Sequence, residues 1–113
     1  MTRVCFQLQV EPAVLDAYIA RHSPVSPEML REIAASGRTN YSIFVRPDGL
    51  LIGYFEVDDL AASAAYLAAS AIAADWEAQM APFFGLDARP DQSFTTLTEV
   101  FNLDDQLAAS STR

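Results

Sequence analysis

The only histidine of this 113-residue chain, His22, closes a Tyr18-Ile19-Ala20-Arg21-His22 segment and precedes Ser23-Pro24-Val25-Ser26-Pro27-Glu28. Residues i and i+4 share one face of a helix, so the Tyr18 hydroxyl and the His22 imidazole can address one small cavity. No other side chain type present titrates, unperturbed, near neutral pH. The chemistry this suggests is general acid or base catalysis, with a helix C-terminus favouring the protonated imidazole and Arg21 opposing it. The plain alternative is a histidine that only contacts the last carbonyls of its helix.

Tyr18 and Tyr41 could together form a hydrogen-bonding wall for a polyol, although each alone is the kind of residue that packs with a wet hydroxyl. Trp76, the single tryptophan, is a core anchor or a flat apolar platform for the C–H-rich face of a sugar ring. Glu56 and Glu99 fall inside strand patterns, where a carboxylate is costly unless paired or functional, so either is a candidate partner base. A one-residue change of register would move them to the opposite face. Asp58, Asp59, Asp104 and Asp105 read as charged surface. Cys5 reads as a small, inert core residue.

Composition narrows the classes further. The formal net charge is −8, the chain contains no lysine, and its seven basic residues are scattered arginines. That balance argues against nucleic acid as a partner and removes lysine Schiff-base chemistry. One cysteine permits no intramolecular disulfide and fits a reducing cytoplasm. One histidine and no visible carboxylate cluster leave no metal signature. No Gly-rich phosphate loop or Ser-His-Asp order is present, so no cofactor is implied. The N-terminus lacks a signal-peptide pattern. The alanine-rich tract after Leu60 is interrupted by Ser63, Tyr66, Ser70 and Asp75, which argues against a membrane span.

The elements that must position these residues follow from periodicity. Val4 to Val10 alternates as a strand with one dry and one wet face. Pro12 suits the start of a helix running through Arg21, and Pro24 and Pro27 redirect the chain. A second helix spans about 27–36, with Gly37 as its C-terminal cap. Asn40 to Arg46 and Leu50 to Val57 form a hairpin around Pro47-Asp48-Gly49. Ala61 to Phe83 is helical with a break near Ser70, which could cap a second segment. Phe94 to Asn102 reads as the last strand. A single domain over 1–103 and a polar, frayed tail over 104–113 result.

The order is that of an α+β fold, a ferredoxin-like split βαβ with a four-stranded antiparallel sheet and one extra short helix. Helices cover one face. Gln7, Gln9, Ser42, Phe44, Tyr54, Glu56 and Glu99 are placed on the other. A second copy laid over that face would bury Phe44 and Tyr54, so a homodimer is expected.

These residues resemble the L-rhamnose mutarotases. The matching pieces are Phe6 and Gln9-Val10 in the first strand, Tyr18 with Arg21-His22-x-Pro24-x-x-Pro27-Glu28, Asn40-Tyr41-x-Ile43, the solitary Trp76, and Glu99-Val100-Phe101. Together they span nearly the whole chain. The resemblance implies a dimeric α/β barrel that interconverts the α and β pyranose anomers of L-rhamnose or a related 6-deoxyhexose, without cofactor or metal. It casts His22 as proton donor, and Tyr18, Tyr41 and Trp76 as sugar contacts. Two positions depart from it. Glu77 stands where the family often carries a second tryptophan, and Ser26 where an aromatic often lies between the prolines. Both bear on which sugar fits more than on the reaction. Anomer exchange needs an acid at the ring oxygen and a base at the anomeric hydroxyl, and such assistance contributes about 10²–10⁴-fold.

Two other classes fit the same outline. A cofactor-free oxygenase or lactone isomerase on a similar barrel would line its cavity with apolar groups throughout. A non-catalytic ligand-binding dimer would be indifferent to loss of the His22 imidazole.

Overall fold

Apolar residues at every second position make Thr2–Gln9 a strand, β1, whose Val4 and Phe6 are buried while Arg3, Cys5 and Gln7 face the other way. In the computed structural model, which describes residues 1–85 and 89–111, β1 is central to a four-stranded sheet. The other strands are β2 (Thr39–Val45), β3 (Leu50–Val57) and β4 (Thr95–Leu97), in the order β2-β3-β1-β4. Every pairing is antiparallel, with Cys5 opposite Tyr54 and Leu97, and Tyr54 opposite Ser42.

The β2–β3 hairpin closes as its sequence demands. Gly49 takes φ +91°, and Asp48 Oδ1 accepts from the Leu50 amide at 3.2 Å. Gly53 serves a different purpose. A Cβ there would stand 2.1 Å from Phe6 Cζ, so the missing side chain seats the Phe6 ring. That ring stacks on Phe94 at 4.5 Å and meets Tyr41 edge-on at 6.2 Å.

Among the described residues, five α-helices accompany the sheet: α1 (Leu15–Arg21), α2 (Pro27–Ala35), α3 (Leu60–Ala69), α4 (Ala71–Met80) and α5 (Leu103–Ser111). The core sits between the sheet and α1 and α4, around Val4, Phe6, Leu15, Tyr18, Leu51, Phe55 and Met80. Burying each large apolar side chain contributes roughly 1.5–3 kcal/mol. A second cluster, Met29, Leu67 and Ala73, fastens α2 to α3 and α4.

Helix boundaries have local causes. Pro12–Val14 is a tight 3₁₀ turn that leads into α1. Ser26 accepts from the Met29 amide to start α2, and Gly37 follows its end at φ +94°. The alanine-rich stretch breaks at Ser70, which is extended and accepts from the Ala73 amide at 3.1 Å. A serine oxygen in that position satisfies a donor that the first turn of α4 would otherwise leave open.

Two expectations at the C-terminus are corrected. The last strand is Thr95–Leu97 rather than 94–102. Phe94 turns inward against the core, while Glu99 is held by its side chain to Arg3 at 2.7 Å instead of by a strand ladder, and Asp105 joins the same arginine at 2.5 Å. The segment expected to fray, 104–113, is helix α5 as far as Ser111, and 112–113 lie outside the described residues. Asn102 Oδ1 accepts from the Asp105 amide at 2.9 Å, and Asp104 and Asp105 place negative charge in the first turn. Both features favour helix there.

The outer face of the sheet carries Cys5, Gln7, Ser42, Phe44, Ile52, Tyr54 and Glu56, as the register requires. Phe44 is 60% exposed on it. Beyond β4, Val100 is 90% exposed, and Phe101, Leu103 and Leu107 are exposed as well. The radius of gyration, 15.6 Å, exceeds the roughly 13 Å typical of a compact chain this long. No helix of the described residues is long and apolar enough to cross a membrane.

Candidate active site

His22 occupies the C-terminal cap of α1, and its backbone amide closes the last turn onto Ile19 O at 3.1 Å. Its ring lies over Tyr18, with centroids 4.3 Å apart, and meets Trp76 edge-on at 5.3 Å. Nδ1 lies 2.9 Å from Tyr18 O. A carbonyl oxygen only accepts, so Nδ1 carries a hydrogen and donates it. Among the described residues nothing bonds to Nε2. In the neutral imidazole that nitrogen is therefore a lone-pair acceptor.

The electrostatics of His22 differ from the sequence-based expectation. Burial lowers its pKa below the ordinary 6.5; the bond to Tyr18 O raises it and Arg21 lowers it further. Desolvation outweighs the helix terminus, so the neutral ring is the favoured resting form. Tyr18 and Tyr41 keep their protons, because burial drives both phenols well above their usual range.

Tyr18, His22, Tyr41 and Trp76 all line one narrow cavity of about 70 Å³ over the inner face of the sheet. It adjoins a cleft of about 490 Å³ between α2 and the β2 edge, and His22, Tyr41, Ile43, Trp76, Glu77 and Asp91 line both. The cleft falls within the usual size of a small-molecule site. All four anticipated site residues therefore meet around one space.

Glu56 and Glu99 do not reach it, which removes both as partner bases for this cavity. Glu56 lies on the outer face and accepts from Tyr54 Oη at 2.7 Å and Asn40 Nδ2 at 3.3 Å. Glu99 lies past β4 in the ion pair with Arg3.

Arg38 and Asp91, neither singled out from sequence, form the polar wall with Glu77, which sequence marked only as a departure from the family. The Arg38 side chain is 1% exposed and holds Asp91 with two bonds, at 2.6 and 3.2 Å. Its Nε donates to Ser63 Oγ at 2.9 Å, and its guanidinium lies 4.3 Å from the centre of the Phe55 ring. A buried arginine of this kind is viable because its donors are matched. Arg89 donates to the Leu67 and Ala68 carbonyls, fastening the Asp91 segment to the end of α3. The Asp91 amide in turn donates to Glu77 Oε2 at 3.0 Å. Glu77 is buried, and burial raises its pKa above the usual carboxyl value. The available signal was spacing: Ala73, Glu77 and Met80 are the buried positions of α4, so the carboxyl occupies a core stripe. Among the described residues, no group of three or more His, Cys, Asp or Glu side chains could hold a metal ion.

A ferredoxin-like α+β domain with an aromatic cavity around one histidine is the class that this geometry defines. Residues 3–103 match the family model of L-rhamnose mutarotase. An L-rhamnose mutarotase of Oceanobacillus iheyensis is 34% identical over 105 residues, covering 92% of this chain and all of that protein. One from Opitutus terrae is 35% identical over 107 residues, with 92% and 100% covered. The crystal structure of an L-rhamnose mutarotase from Formosa agariphila superposes with a TM-score of 0.73 at 26% identity, over 91% of this chain and 99% of that one. The chain belongs to the L-rhamnose mutarotase family.

Proposed function

We propose that this protein interconverts the α and β pyranose anomers of L-rhamnose or a closely related 6-deoxyhexose, with His22 as a proton-transfer residue. The observation that supports this most is the ring cluster Tyr18–His22–Trp76 around a single cavity in a chain of this family. With Nδ1–H committed to Tyr18 O, Nε2 takes the proton from the anomeric hydroxyl. The C1–O5 bond breaks, the ring oxygen takes a proton from a second acid of the cavity, and a free aldehyde forms. Rotation about C1–C2 presents the opposite carbonyl face. On closure O5 gives up its proton as it attacks C1, and Nε2 returns its proton to the new anomeric oxygen; the family resemblance casts His22 as proton donor, and the tautomer here adds the acceptor role. Trp76 is the platform for the ring, and the Tyr18 and Tyr41 hydroxyls hold sugar oxygens. Confinement in the cavity supplies orientation.

The cavity's polar wall, Tyr18, Tyr41, Glu77 and Asp91, suits a polyol better than the apolar substrate of an oxygenase or lactone isomerase. Saturation transfer between the anomeric proton signals of L-rhamnose tests the reading. Exchange well above the buffer rate supports it, and a buffer-like rate with folded protein rejects it.

The working unit is proposed to be a homodimer. The exposed Phe44 on the outer face and the exposed Val100, Phe101, Leu103 and Leu107 on the arm beyond β4 form apolar surface that a second copy would cover. Two-fold self-pairing is the commonest arrangement for such a surface. A cytoplasmic site of action is consistent with the free Cys5.

A further inference from the structure

The proton inventory of the cavity is incomplete with His22 alone. Ring opening needs a group that takes the O1 proton and another that protonates O5. Neutral His22 fills one role only. Both tyrosines are retained phenols. Asp91 has both carboxylate oxygens engaged by Arg38. Glu56 and Glu99 lie elsewhere.

Glu77 remains. It lines both the narrow cavity and the cleft alongside His22. Its Oε2 is fixed by the Asp91 amide at 3.0 Å, and among the described residues its Oε1 has no hydrogen-bond partner. A buried carboxyl with one oxygen anchored and the other open to a cavity can exchange a proton with a bound ligand without moving.

We propose that Glu77 is the second proton-transfer residue of this enzyme, delivering a proton from Oε1 to the ring oxygen O5 while His22 Nε2 takes the proton of O1. This rests on the mutarotase reading above. The balance is closed. O1–H is transferred to Nε2, the O1 electron pair forms the C1=O1 bond, the C1–O5 pair goes to O5, and O5 takes the Glu77 proton. Ring closure runs the same transfers backwards and restores both groups. No co-reactant is needed. A tryptophan at this position, as the family often has, could not do this, so the chain would carry its acid on its own residue.

The groups that face this pair set its titration. Glu77 feels Asp91 and Arg89 from the 89–92 segment, Arg38 ahead of β2, Tyr41 on β2 and Tyr18 on α1. Desolvation is the largest influence on it and favours the protonated carboxyl. His22 is displaced in the opposite direction from its own ordinary value, again chiefly by burial.

Glu77→Gln is the test, because the amide oxygen still accepts from the Asp91 amide. Anomer exchange of L-rhamnose is measured across pH for wild type, Glu77→Gln and Glu77→Asp. The proposal predicts that kcat falls about 100-fold in Glu77→Gln, within the range of acid–base assistance. KM should stay within about threefold, and the alkaline limb of the wild-type kcat profile should disappear. Glu77→Asp should retain that limb. Wild-type kcat in Glu77→Gln, or a change in KM alone, overturns the role of Glu77 and leaves the mutarotase reading intact. A wild-type enzyme without activity on L-rhamnose overturns both. Should Glu77→Gln not fold, the wild-type profile decides: a kcat with no alkaline limb contradicts the proposal.

Discussion

His22 Nδ1 and the carbonyl oxygen of Tyr18 stand 2.9 Å apart, and this one bond selects the imidazole tautomer that faces the cavity. The same helical turn that places the two rings in contact also turns Nε2 into the free base. One consequence is a pH dependence with a definite sign. The His22 pKa lies below 6.5 in the folded protein, so activity that requires the neutral ring falls as pH drops through that folded value. At His22 the folded state also binds fewer protons than the unfolded chain in this window, so this group's contribution to stability rises with pH up to about 6.5. A pH profile of kcat/KM checks it; activity that increases from pH 7 to pH 5 would contradict it.

Trp76 is half-buried, lines the cavity and touches the His22 ring edge-on. Its fluorescence should change on titration with L-rhamnose, and Trp76→Ala should raise KM by roughly 10-fold, about 1.4 kcal/mol of lost contact. An unchanged spectrum at saturating sugar would remove the indole from the sugar site.

Arg38 and Asp91 form a buried ion pair, with side chains 1% and 12% exposed. Removing one partner of such a pair typically costs about 3–5 kcal/mol. Arg38→Met should lose that much in urea unfolding, and should weaken catalysis because Asp91 positions Glu77. A loss below about 1 kcal/mol would show that the pair is not the anchor described.

The exposed apolar arm and outer sheet face predict self-association. Wild-type protein should elute at twice the mass of one chain in light-scattering chromatography. Phe44→Arg should shift it towards the monomer. A monomeric wild type at high concentration would refute the homodimer.

Much of this architecture was legible in the chain. The alternation of β1, the Pro47-Asp48-Gly49 turn and the Ser70 break are local signals, and each appears where its residues put it. The meeting of Tyr18, His22, Tyr41 and Trp76 was legible through spacing and the family resemblance. Glu77 was noticed only as a departure. Its meaning depends on the Asp91 amide, which the fold brings to it from 14 residues away. The protonation of His22 depended on burial, which spacing along one helix does not reveal. The end of β4 was misjudged because β-rich composition continues to Phe101, whereas the ladder stops at Leu97 and Glu99 pairs with Arg3 by its side chain. The tail's helix was written in Asn102-Leu103-Asp104-Asp105, a capping pattern easily taken for charged surface.

The central claim is that one imidazole moves the anomeric proton. Two-dimensional exchange NMR on equilibrated L-rhamnose, with wild type beside His22→Ala, measures it directly. The account predicts strong exchange cross-peaks with wild type and a drop of about 10²–10⁴-fold in the catalysed rate for the variant. A folded His22→Ala protein that exchanges the anomers as fast as wild type would contradict it.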